Sequence, residues 1–589
     1  CGTTRSSIPN GKNVGNRYNG TMSHIIADNI ISPLGSTSAA NYAAVKAGKT
    51  ALSAHSCAEI GTKEDFVASM LTPEQRAAIA VAGLSHFEAK VVASVTKAVA
   101  TTTVDLTDPR VVLILSTTKG NIEQIATPSG NIHIGESAAR IAAHLGMRST
   151  PIVVCNACIS GLSAIILADR LLSQGQYDYA VVCGTDNIGR FVVSGFQSLK
   201  ALSPQQCRPF DMERMGLNLG EAVATMVLAA KHASASAAGW QVCGEAVRND
   251  AFHISAPSKK AEGQYLCLEQ ILQHTAVKDL AFINLHGTAT LFNDQMESVA
   301  VERAGLSDVP ANSLKGYFGH TLGAAGILET IISIKAADDH TVLATRGFEE
   351  LGVSGKVNLS ASNASTGKSA FVKTLSGFGG CNAAALIAKG DGSASHTDLQ
   401  PRRLKATHRV TITPTAVVAD GTPLPTDNAD PAQLLTWLYK NHVSNYPKYY
   451  KMDKLCRLGF IASELLLQAE GAERFVERDD RAVVFFNSLS SLSADKAYFA
   501  SIAHADDFFP SPSLFVYTLP NIVTGEIAIR NQLHGETAFY VSPHRDDALM
   551  RQVMQATAAD AATHSIVGGW LEYADDHNFT ADLSIFEIQ

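Results

Sequence analysis

A cysteine, two histidines and a lysine occur in settings that would make them reactive. Cys158 lies in VVCNACISGLSAIILADRLL (153–172), where an apolar run passes through a tight turn into a helical pattern opening near Ile159. A thiol at a helix N-terminus meets free N–H groups and the positive end of the macrodipole, and both favour the thiolate. Ala157, Ser160 and Gly161 are small enough to let a substrate reach the backbone. A small packing residue would suit the same position. Cys155 and Cys158 also form a CxxC pair. Redox pairs hold both thiols in the first helical turn, whereas Cys155 still belongs to the apolar run.

Downstream, INLHGTATLFND (283–294) sets His286 at the end of a predicted strand, with Thr288 and Thr290 close behind. SLKGYFGHTLGAAGILE (313–329) sets Lys315 and His320 just before a helix from about Leu322, with Glu329 on that helix. One histidine at a strand end is ordinarily structural. Two, each flanked by Gly, Thr and Ala, combine with an activated cysteine into a Cys-His-His set for nucleophilic catalysis. LSGFGGCNAAALIA (375–388) is a Gly-rich turn between apolar strands. Its Gly377, Phe378, Gly379 and Gly380 backbone would offer N–H donors to an oxyanion. Alone, it would equally fit a flexible hairpin or a phosphate loop.

Such a set needs rigid elements to hold it. The chain has 589 residues, 46% hydrophobic and 17% charged, with 44 glycines. That length suits about four domain-sized units with large cores. Short β-branched runs such as VVLILSTT and YAVVCGTD alternate with amphipathic helical stretches, which predicts sheets covered on both faces in a layered α/β domain. The net charge of -8 and the absence of basic runs argue against nucleic acid or an anionic membrane as partner. No apolar stretch approaches the ~20 residues of a membrane span. Ten sparse cysteines in apolar runs indicate a reducing compartment, read as the cytoplasm. Residues 1–21 lack a signal-peptide core; Met22 is read as the native start, against the alternative of Cys1 as a lipidated terminus.

A polar linker with Gly, Ser and Pro (390–406) closes the first module. The remainder repeats part of it. NIHIGESAAR (131–140) and NIVTGEIAIR (521–530) share six of ten positions, Asn131 with Asn521 and Gly135 with Gly525 among them. VVLILSTT has a counterpart in AVVFFNSL, and YAVVCG in SIVGGW, after a four-residue deletion between the blocks. The tail therefore reads as a second copy of the first half-domain. In that register Cys158 falls opposite His544, and the copy has no nucleophile.

Taken together, the NACISG turn, HGTAT, KGYFGHTLGAAG, GFGG and RPFDMERMGLNLGEA (208–222) resemble a β-ketoacyl-acyl-carrier-protein synthase of the type II elongating kind, in the thiolase-like superfamily. The resemblance covers residues 22–389. It implies an α-β-α-β-α layered fold from two similar halves (22–235 and 236–389), followed by a degenerate third half-domain (407–589). It also implies roles. Cys158 would take an acyl chain from a carrier protein's phosphopantetheine arm. His286 and His320 would stabilise the enolate left when malonyl-carrier protein loses CO2, with Lys315 and Glu329 in support. The N–H groups of Cys158 and Phe378, with Gly379, would form an oxyanion hole, and Phe378 would gate entry. Thr288, Thr290 and Glu329 would lie on the substrate side. No metal or nicotinamide would be needed, and a homodimer through a strand of the N-terminal half would be expected.

Two residues depart from the family pattern. Ala289 replaces the second glycine of HGTGT, which would narrow the pantetheine tunnel, and Ile159 would crowd the acyl end. A thiolase acting on coenzyme A esters would need a second catalytic cysteine, and Cys381 in GFGGCN has the wrong order for one. A chain-length factor that only shapes a partner's tunnel would lack Cys158. The tail reads as a structural cap or a carrier-protein platform.

Overall fold

The computed structural model describes residues 23–127, 130–233, 238–391, 401–426, 430–504 and 508–589. The expected N-terminal segment 1–21 and most of the linker lie outside the described residues.

One strand topology occurs three times. The first sheet comprises β1 (His24–Ile31), β2 (Val111–Ser116), β3 (Ile152–Val154), β4 (Tyr179–Thr185) and β5 (Val223–Ala229), in the order β3-β2-β4-β5-β1. Its first three strands are parallel, and the last two each reverse direction. The second sheet comprises β6 (Ala238–Asn249), β7 (Phe282–Asn284), β8 (Pro310–Asn312), β9 (Ala370–Gly377) and β10 (Cys381–Asp391), ordered β8-β7-β9-β10-β6 with the same directions. The third comprises β11 (Leu404–Ile412), β12 (Arg481–Asn487), β13 (Thr537–Val541), β14 (Ser565–Asp575) and β15 (Asn578–Ile588). Its order, β13-β12-β14-β15-β11, repeats the pattern again. Every residue of VVLILS in β2 is buried, as parallel strands covered on both faces require.

Helices Ser160–Ser173 and Ala325–Asp338 form the buried middle layer of the first module. They approach so closely that a Cβ on Gly161 would stand 2.8 Å from the Gly323 carbonyl oxygen, so only glycine fits. Helices on the outer faces complete the expected α-β-α-β-α layers, and the tail adds a half-domain of the same kind.

The tail is joined to the first sheet by an antiparallel pairing of β3 with β13, Val153 opposite Val541 and Val154 opposite Tyr540. This revises two expectations. The outer edge of the first sheet is occupied within the chain, so no second copy can pair there to make a homodimer. The pairing also relates Val154 to Val541 by a local two-fold. Four residues further on, Cys158 corresponds to Arg545 rather than His544; the helices that follow, from Ser160 and from Asp547, keep the same register. A buried ionic cluster fastens all three sheets. Arg170 reaches Glu245 and Glu536, each at 2.8 Å, and Arg248 reaches Asp560 at 2.6 Å.

Candidate active site

The strand-to-helix turn after β3 is sharply bent. Ala157 has φ 47, a left-handed conformation that costs a non-glycine residue about 1–2 kcal/mol. Ser160 closes the bend by accepting the Asn156 N–H at 2.8 Å and donating to the Ala157 carbonyl at 2.6 Å. The result presents Cys158 at the base of a cavity of about 410 Å³, also lined by His286, His320, Thr288, Thr290 and Phe378.

The reactive atoms of Cys158, His286 and His320 all lie within 4.8 Å of one another. The imidazoles meet edge to face, with centroids 5.0 Å apart. His320 Nδ1 accepts the Leu322 N–H at 3.3 Å, so its proton resides on Nε2, which has no hydrogen-bond partner. His286 Nδ1 is likewise unpartnered. Burial, then the positive charge of Lys315 and Lys373, hold both rings well below the ordinary histidine range. They are therefore neutral donors at physiological pH. Three ligands at this spacing would also suit a metal ion, but two lysine ammonium groups nearby oppose a dication.

The cysteine differs from expectation. Burial pushes its thiol up to about 12, despite the opposing influence of Lys315 and of the Cys158 and Phe378 backbone N–H groups. Desolvation outweighs the helix terminus. The two N–H groups nonetheless converge on the sulfur, as an oxyanion hole needs.

Other predicted residues fall elsewhere. Gly379 is no oxyanion donor, because its N–H is spent on the Ile254 carbonyl at 2.6 Å. Glu329 does not reach substrate space. It is buried between two lysines, paired with Lys315 on one oxygen and with Lys373 at 2.6 Å on the other. Burial opposes its ionisation, and the two lysines prevail to keep its pKa low. Lys315 is also enclosed, and its charge is felt by both imidazoles. Ala289 is buried away from the cavity with φ 65, so its consequence is backbone strain rather than a narrower tunnel. Ile159 packs into the core and lines neither this cavity nor the smaller one beyond Cys158.

Several supporting residues escaped the motif reading. Lys373 lies within the apolar run SAFVKTLSG, whose burial hid it. Burial and the neighbouring Lys315 lower it to about 8, against the pull of Glu329. Glu297 accepts the His286 and Gly287 N–H groups at 2.7 and 2.6 Å, and Asp294 accepts that of Phe210 at 2.7 Å. Asp186 ties the Thr117–Lys119 loop to the Gly323 N–H at 2.8 Å. Only the three-residue spacing of Asp294 and Glu297, on the helix after HGTAT, offered a sequence signal. Beyond Cys158, a smaller cavity is lined by Lys119, Phe196 and Phe378 together with Phe515, Thr518 and Leu519 of the tail.

Two family models match this module. The N-terminal domain of beta-ketoacyl synthase matches residues 61–234, and the C-terminal domain matches residues 241–349. These segments belong to the beta-ketoacyl synthase family. The ketosynthase module so defined carries Cys158, His286, Lys315, His320 and Glu329, and both models stop short of the Gly377–Gly380 turn. A 3-oxoacyl-[acyl-carrier-protein] synthase 2 of Rhizobium meliloti (strain 1021) is 34% identical over 276 residues, 44% of this chain and 65% of the relative. The tetracenomycin polyketide synthase ketoacyl synthase alpha subunit of Streptomyces glaucescens is 33% identical over 269 residues, 42% of this chain and 62% of the relative. The chain thus spans less than two thirds of either. The solved structure titled PfaC Keto synthase-Chain length factor resembles the ketosynthase module and tail together. Its TM-score is 0.73 at 14% identity, over 96% of this chain and 78% of that one, a likeness of fold. Among the described residues, no helix is long and apolar enough to cross a membrane.

Proposed function

We propose that the chain is a 3-oxoacyl-acyl-carrier-protein synthase, an acyltransferase working in fatty-acid or polyketide synthesis. The observation that carries this reading is the convergence of Cys158, two neutral imidazoles and two backbone N–H groups at the base of one cavity. Cys158 Sγ attacks the thioester carbonyl of an acyl chain carried on a phosphopantetheine arm. The N–H groups of Cys158 and Phe378 hold the oxyanion, the carrier thiolate leaves, and the thiol proton ends on it. His286, whose Nδ1 is uncommitted, relays that proton.

Malonyl-carrier protein then enters past Thr288 and Thr290. The His320 Nε2–H and the His286 ring donate to its thioester oxygen, the bond to the carboxylate breaks, and CO2 departs. The enolate carbon attacks the acyl-cysteine, and Cys158 leaves as thiolate. Lys315 and Glu329 support the histidines from behind. The partner is an acyl carrier protein, and the phosphopantetheine arm is the only carrier chemistry required. Nine free cysteines among the described residues fit a reducing cytoplasm.

Intact-mass analysis with acyl- and malonyl-carrier protein, wild type beside Cys158→Ala, tests the assignment. The wild type should gain one acyl mass and release β-ketoacyl product, and the variant should gain none. A folded wild type that never acylates would leave the chain as a chain-length-factor-like partner of another ketosynthase.

A further inference from the structure

The repeated decapeptide has so far served only to reveal the tail's origin, yet in the tail it touches the site. Asn521, its first residue, is buried, and its Nδ2 donates to the Phe378 carbonyl at 2.8 Å. Gly525, one turn later, packs on the same loop; a Cβ there would meet the Gly379 oxygen at 2.5 Å. The first copy uses its residues differently. Asn131 makes a local turn, accepting the His133 N–H at 3.0 Å, while Gly135 lies against Ser542 across the seam. The two copies of one motif therefore face opposite ways across the junction, and the tail's copy reaches the catalytic loop.

The loop needs such a hold. Gly379 and Gly380 have φ 89 and 73, so the turn is built from residues with wide conformational freedom. Its start is fixed by the pairing of Gly377 with Cys381, and Gly379 is tied through its N–H to Ile254 and through its carbonyl to Asn249. Between them, the Phe378 N–H must point at Cys158 while the Phe378 carbonyl points away. Asn521 supplies a side-chain donor for that carbonyl.

We infer that Asn521 is a positioning residue, by which the tail sets the Phe378 N–H of the oxyanion hole in the ketosynthase module. This rests on the condensing function above. Asn521→Ala should slow acylation of Cys158 by acyl-carrier protein about 10- to 100-fold, on the scale of losing alignment of one oxyanion donor. Alkylation of Cys158 by iodoacetamide forms no oxyanion and loses only the Phe378 N–H that favours the thiolate, so it should fall by clearly less than acylation does. Asn521→Asp keeps the shape but sets an acceptor against the Phe378 carbonyl, so it should be at least as slow, and it serves where the alanine variant melts early. Acylation at the wild-type rate in a folded variant overturns the inference, as does an equal fall in acylation and alkylation. A wild type that never acylates removes the condensing function and the inference together.

Discussion

Asn156 and Phe539 are locked across the seam between module and tail, the Phe539 N–H donating to Asn156 Oδ1 at 2.7 Å two residues before the nucleophile. The preceding residue, Cys155, returns a hydrogen bond through its own N–H to the Phe539 carbonyl at 3.0 Å. The nucleophile turn thus inherits its rigidity from the tail. Asn156→Ala would strand a buried N–H, at a cost of about 1–3 kcal/mol. Thermal melting should fall by several degrees, with acylation of Cys158 slowed at a temperature where the variant is still folded.

The raised thiol makes a kinetic prediction for the free enzyme. With the Cys158 thiol at about 12, above the usual 8.5 or so, the thiolate fraction climbs about tenfold per pH unit through neutrality. Iodoacetamide alkylation should follow that slope from pH 7 to 9 without levelling. Lys315→Met, which removes the cation that favours the thiolate, should alkylate more slowly at every pH. A plateau below pH 8 would contradict the dominance of desolvation.

Lys373 gives a second pH test. Its folded-state value of about 8 lies below the ordinary lysine value of about 10.4, so folding disfavours its charged form. The charged lysine is an expense to stability at pH values below both. The cost is relieved as pH rises from about 8 towards the unfolded value. Melting temperatures of wild type and Lys373→Met should therefore diverge in favour of wild type as the pH is raised across that window. The same variant should lose about tenfold in condensation, because Glu329 is then held by Lys315 alone and both histidines lose a neighbouring cation. Unchanged activity would mean the second lysine is only packing.

Phe515 should set how long an acyl chain fits. It borders the small cavity beyond Cys158 and lies edge-on to Phe196 at 5.4 Å. Gly195 lies directly beneath it, where any Cβ would strike the ring. Phe515→Ala should extend the preferred acyl donor by several carbons, at a stability cost of about 3–5 kcal/mol. Competition between acyl donors, read by product mass, measures the shift. An identical preference would place the end of the acyl path elsewhere.

The legible parts of this molecule were those with local signatures. Cys158 stood between an apolar run and a helical period, and the histidine motifs carried their own glycines and threonines. The repeat was visible because Asn521, Gly525 and Arg530 kept their spacing from the first copy. What escaped was set by distance in the chain. Lys373 lies inside an apolar strand, and its ionic partner, Glu329, arrives from a helix distant in the chain. The fate of Gly379 depended on Ile254, well over one hundred residues away. The thiol's resting state depended on how deeply the turn is enclosed, which spacing does not reveal.

The pairing of Val153 with Val541 also has a consequence for dilution. An enzyme whose site is braced by a separate subunit loses that brace as concentration falls through the dissociation constant. Here the brace is covalently tethered, and its effective concentration is set by the intervening chain and not by the amount of protein present. The turnover of each molecule should therefore stay constant however thinly the protein is spread.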